Sequence, residues 1–118
     1  AVKFTPVSAS VPLWADKTVS AVGRGVAPEG KIGADAKIMA VRAAELDARR
    51  HLLEKVYGVH INANTTVRDY VARNDIVRSD VDVFITGSTV SEPRYLNDGS
   101  VEVTASIPLK DLAKIVRE

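Results

Sequence analysis

Ala36, Ala40, Ala44, Ala48, Leu52 and Val56 stand four residues apart without a break, with Val41, Ala43 and Leu53 beside them. That spacing draws one apolar stripe along a helix, and it predicts a helix over Ala34–Tyr57. Alanine at four of the six positions lets such a helix lie close to a sheet. On the other face Glu45 precedes Arg49 by four, Asp47 precedes Arg50 by three, and Arg50 precedes Glu54 by four. This reads as a solvated face laced by ion pairs, with no binding role. Gly58 follows as a C-terminal residue able to take positive φ.

Upstream, Val19 and Ala21 alternate with Thr18, Ser20 and Arg24, the mark of a half-buried strand. Gly23 and Gly25 bracket Arg24. Val26, Ala27 and Pro28 follow, not a helix, so the pair reads as a strand end or bulge and not as a phosphate-cradling loop. Ala27 to Gly33 is a loop by its Pro and Gly content. Residues 1–17 read as an N-terminal arm, interrupted by Pro6 and Pro12, with Phe4, Leu13 and Trp14 as apolar anchors. Trp14 either tucks against the domain or meets a neighbouring subunit, since Trp is enriched at interface hot spots.

Downstream, Val59, Ile61 and Ala63 alternate with His60, Asn62 and Asn64 as a short strand. Thr65 or Thr66 then caps a short helix in which Val67, Tyr70 and Val71 share a face, ended by Asn74-Asp75. Val81, Val83 and Ile85 alternate with Asp80, Asp82, Phe84 and Thr86; Val101, Val103, Ala105 and Ile107 alternate with Glu102, Thr104 and Ser106. Asn97-Asp98-Gly99 lies between them as a tight turn, so the two runs are expected to pair as a hairpin with a valine face toward the long helix. Gly87 reads as a bend or bulge, and Pro93 as a mark of an edge. Leu109, Leu112, Ile115 and Val116 form a closing amphipathic helix. The expected fold class is α+β: one domain over 18–118, in which an antiparallel sheet of about four strands packs on one long helix (about 34–57), with short helices added.

Composition narrows the chemistry more than the fold. The chain has 118 residues, enough for one core and too few for two. It has 16 basic and 15 acidic side chains, a net charge of +1, which gives no electrostatic footprint for nucleic acid or an acidic membrane surface. It has no cysteine, which removes disulfides, thiolate metal sites and cysteine nucleophiles. Apolar runs are only a few residues long, against roughly 20 for a bilayer span. The chain begins at Ala1 with neither a Met nor a signal-peptide pattern, as a processed protein or a trimmed one would.

Candidate chemistry is sparse. His51 and His60 fit no zinc spacing. His51 is expected on the helix surface near its C-terminus, where a cation is favoured. Asp80 and Asp82 share a predicted strand face and read as its wet side. No G-x-S-x-G elbow occurs, and Asn64-Thr65-Thr66 is a glycosylation pattern that recurs by chance. No catalytic residue, metal site or cofactor is assigned, and the chain is expected not to be an enzyme. Phe84 projects from the polar side of its predicted strand, covered either by the arm or a terminal helix or by a partner. Tyr95 beside Arg94 is a comparable contact candidate. Trp14, Phe84, Arg94 and Tyr95 are therefore the candidate subunit contacts, together with the sheet edge and the arm.

One ordered pattern goes beyond periodicity. A strand carrying Ala21, Gly23 and Gly25 leads to the alanine-rich "AVRAAELDARRHLLEKVYGVHI", then to "TTVRDYV", then to "VDVFITGSTVSEPRYLNDGSVEVTASIPL". From about Val19 to Leu109 this resembles the small outer-membrane lipoprotein family of Gram-negative bacteria named for a twenty-kilodalton Helicobacter antigen. That family includes flagellar FlgP-type lipoproteins, and the N-terminal domain of the flagellar protein FlgT is similar. The resemblance implies a non-catalytic envelope protein at the periplasmic face of the outer membrane or in the periplasm. It further implies a likeness to subunits of flagellar outer-membrane-associated rings, with homo-oligomers and other ring or envelope proteins as partners. Family lipoproteins carry an acylated cysteine after the signal peptide, so membrane attachment is expected only through a lipid anchor upstream of Ala1. The alternative is a periplasmic module holding a small molecule or glycan against the valine face.

Overall fold

The computed structural model describes residues 13–116, so most of the expected arm, Phe4 included, lies outside the described residues. A single 3-10 turn, Leu13–Asp16, leads into strand β1 (Thr18–Gly25), and a loop carries the chain to helix α1 (Gly33–Tyr57). A small hairpin of β2 (His60–Asn62) and β3 (Thr65–Thr66) precedes helices α2 (Val67–Ala72) and α3 (Asp75–Thr86). Strands β4 (Thr89–Val90), β5 (Arg94–Tyr95) and β6 (Val101–Pro108) follow, and α4 (Lys110–Ile115) ends the fold. The architecture is the expected α+β one, a four-stranded antiparallel sheet with one long helix on it.

β6 is the central strand. It pairs with β1 without interruption from Thr18↔Pro108 to Gly25↔Val101, and with β4 and β5 on its other side. Its alternation is the one read from the sequence, with Val101, Val103, Ala105 and Ile107 buried. Onto this face α1 lays Ala40, Ala44, Ala48, Leu52 and Val56, none more than 2% exposed. The helix sits unusually low over β1. A Cβ built on Gly23 would lie 2.1 Å from the Ala48 nitrogen, and one on Gly25 would lie 2.4 Å from the Ala40 carbonyl oxygen. Gly25 does end the strand, but the register runs through both glycines with no bulge. They are there because helix backbone occupies the space of their side chains.

The small hairpin and α2 close over the end of α1. Thr66 caps α2 in a reciprocal box: its hydroxyl accepts from the Asp69 amide, and Asp69 accepts from the Thr66 amide. Val67 and Val71 then join the core beside Leu52 and Val56. In the Asn97-Asp98-Gly99 turn, Leu96 N–H donates to the Ser100 carbonyl at 2.9 Å and Gly99 adopts φ +88°.

Four expectations change. Residues 80–86 are not a strand: they are the C-terminal half of α3, and the partners of β6 are β1, β4 and β5. Val77, Val81 and Ile85 are spaced by four and buried together, whereas Val83, which completed the apparent alternation, is 69% exposed. Gly87 is accordingly a helix cap at φ −83°, not a bend in a strand. Gly58 caps α1 also at φ −83°, so its position does not call on positive φ. Of the helix-face ion pairs, Asp47–Arg50 forms, but Arg49 donates to Ser88 Oγ at 3.0 Å and Glu54 binds Arg68 at 2.7 Å.

Substituting the two kinds of glycine separates these roles. Gly23→Ala is expected to destabilise by about 3 kcal/mol or more, because rigid helix backbone must move. Gly58→Ala, with its nearest neighbour 3.5 Å away, is expected to be neutral or to stabilise by up to about 1 kcal/mol. Urea denaturation measures both, and a Gly23→Ala protein as stable as the parent would contradict the close-packing account.

Candidate interaction surfaces

A long edge strand offers its unpaired backbone to any passing chain, and β1 is such an edge. Here α1 occupies it. Lys55 Nζ donates to the Ser20 carbonyl at 2.6 Å, His51 Nδ1 lies 2.9 Å from the Val22 carbonyl, and the Arg24 amide donates to Asp47 Oδ2 at 3.0 Å. A carbonyl can only accept, so the Nδ1–H of His51 is the donor in this contact. Asp47, His51 and Lys55 are four apart, each one position before the buried Ala48, Leu52 and Val56. The row therefore borders the buried stripe and hangs over the strand margin.

The opposite edge is blunted differently. Between Val90↔Ala105 and Arg94↔Glu102 the edge advances four residues while β6 advances three, so one extra residue bulges out. Pro93, without an N–H, stands in this stretch. Ser91 repairs the ladder: its amide donates to the Thr104 carbonyl at 2.8 Å, and its hydroxyl accepts from the Thr104 amide at 2.9 Å.

The four candidate contact residues do not form one site. Trp14 is half-buried and packs on the core, with its buried indole N–H unpartnered among the described residues. Arg94 lies on the sheet face away from α1, where it and Arg24 flank Glu102 at 3.4 and 3.1 Å. Its neighbour Tyr95 points to the other face, 56% exposed, with Lys37 Nζ 5.5 Å from the ring centre. Phe84 lies on α3 and is half-buried in a groove beside α4.

That groove, about 590 Å³, is lined by Val83, Phe84, Ile107, Pro108 and Ile115, with Asp80 and an Asp111–Lys114 pair 3.7 Å apart on its rim. Asp80 and Asp82 belong to α3, and only Asp80 reaches the groove. A second cleft, about 370 Å³, lies beside Tyr95 and is lined by Ala36, Lys37, Ala40 and the Gly99 turn. Both are peripheral. The valine face between helix and sheet is filled by the alanine stripe.

Three carboxylates are held below the usual range by donors at structural joints. The Arg24 amide acts on Asp47, with Arg50 and His51 adding to it. The Thr66 amide and then its hydroxyl act on Asp69, and the Ser100 hydroxyl and then its amide act on Asp98. None of these stood out in the sequence as more than a surface or turn residue. The signal for Asp47, His51 and Lys55 was their period of four beside the alanine stripe. The groove was hidden by reading 80–86 as a strand.

Residues 12–107 match the LPP20 lipoprotein family. A comparison with the curated proteins finds no match to the chain.

Carboxylates with lowered pKa values contribute stability that is complete above their ordinary pKa and lost as pH falls through the lowered one. The urea midpoint is thus expected to fall as pH drops below about 4. Asp47→Asn should shallow that fall and speed hydrogen exchange of the Arg24 amide. Unaltered exchange at Arg24 would show that the edge is not held by Asp47.

Proposed function

The chain belongs to the LPP20 lipoprotein family, and from that premise we propose that it is a non-catalytic structural subunit of the cell envelope that assembles with copies of itself. The family match, spanning nearly all the described residues, carries this reading. Membership of a lipoprotein family supports a place at the periplasmic face of the outer membrane. A lipid on a cysteine upstream of Ala1 in the full-length gene product would provide the hold. Among the described residues no helix is long and apolar enough to cross a membrane.

A place in a flagellar outer-membrane-associated ring is the specific form of the proposal, supported by the resemblance to FlgP-type lipoproteins. The physical design suits a building block. Both sheet edges are managed, one by α1 side chains and one by a bulge and Pro93, so assembly would run through side-chain surfaces, not open strand pairing. A ligand held against the valine face is disfavoured, because Ala44, Ala48 and Leu52 already fill it.

Two measurements test the proposal. Fractionation of cells carrying the tagged full-length protein should place it with the outer membrane, and replacing the acylated cysteine should release it. Light scattering of the 118-residue chain over a wide concentration range should show a mass that rises with concentration. A cytoplasmic protein that stays monomeric throughout would overturn it.

A further inference from the structure

Two exposed apolar surfaces of this molecule stand at opposite ends of the sheet. The first is a stripe on α1 from its second turn to its middle, where Ile38 (50% exposed), Met39 (38%) and Leu46 (72%) surround the exposed Arg42. Ile38, Arg42 and Leu46 follow one another at four-residue steps, and Met39 and Leu46 are seven apart, the spacing by which a helix presents anchors to a groove. The second is the α3–α4 groove, apolar along Val83, Phe84, Pro108 and Ile115 and acidic at Asp80.

Each surface also carries a charge of opposite sign to the other's. Arg42 and Asp80 form no ion pair with any other described residue. At the groove's other acidic position, Asp111 lies 3.7 Å from Lys114. Among the described residues, the apolar stripe thus carries at Arg42 a cation without an ion-pair partner, with Glu45 beside it, and the groove rim carries at Asp80 an anion without one.

The register separates the two surfaces. Ala40 and Ala44 lie over Gly25, which pairs with Val101, whereas the groove contains Pro108, which pairs with Thr18 at the other end of β1. Eight strand residues span roughly 25 Å, so one molecule cannot satisfy its own groove with its own stripe.

We propose that the α1 stripe of one copy seats in the α3–α4 groove of the next, with Arg42 meeting Asp80 across the contact; this rests on the self-assembly reading above. The contact is head-to-tail. Every added copy leaves one free stripe and one free groove, so the assembly closes into a ring if its rotation permits and otherwise extends as a filament.

Charge reversal tests the pairing on the full 118-residue chain, with circular dichroism and urea midpoints confirming that each variant is folded. Arg42→Glu alone and Asp80→Lys alone are each expected to weaken self-association in sedimentation velocity by about tenfold or more. An equimolar mixture of the two should recover it, because each variant's intact surface meets the other's, and its reversed surfaces also match. The double variant on one chain should associate like the parent. If the parent associates but neither single reversal weakens it, or the mixture fails to recover, this contact is overturned and self-assembly stands. If the parent is monomeric at every concentration, both fall.

Discussion

Contact between the backbone of α1 and the backbone of β1 governs the rest of this fold. Gly23 and Gly25 have no side chains to hold the helix away, and Ala40, Ala44 and Ala48 present the smallest side chain a helix can carry. The helix therefore settles onto the strand itself and not onto a layer of side chains. Only at that height do Asp47, His51 and Lys55 come within hydrogen-bonding distance of the margin of β1. Edge protection is thus a geometric by-product of close packing, and a helix lifted by one methyl layer would lose it.

The parts legible in the sequence were those where a single period wins. The Ala40–Val56 stripe, the Val101–Ile107 alternation and the Asp98-Gly99 turn each have one local reading, and each folds that way; of the two threonines that could cap α2, Thr66 does. The 77–86 stretch has two. Val77, Val81 and Ile85 satisfy a helix, while Val81, Val83 and Ile85 satisfy a strand, and valine itself favours the strand. Packing decides. The helix buries Val77, Val81 and Ile85 against the core and leaves Val83 outside, while the Thr89–Tyr95 segment takes the strand position beside β6.

The candidate surfaces were less legible because they are made by neighbours distant in sequence. Arg94 and Tyr95 were singled out together, yet adjacent residues on a strand face opposite ways, and the pair divides between the two faces of the sheet. Phe84 reads in the sequence as projecting from the polar side of a strand; it lies instead on α3, half-buried, and its surroundings come from α4 and the end of β6, which no local pattern links to it. His51 lies on the helix surface near its C-terminus, as read, while its partner, the Val22 carbonyl, belongs to a strand that precedes the helix.

The pairing of β1 with β6 has a consequence in time. The first strand of the sheet finds its partner only in the last, from Thr18↔Pro108 to Gly25↔Val101, so the central ladder joins nearly the two ends of the described chain. Closing so long a loop is the slow step in folding topologies of this kind. Until β6 is in place, β1 lacks a strand partner and α1 has half a floor. A chain of this topology can complete its sheet only when residues 101–108, the last strand in the sequence, are in place between the other three.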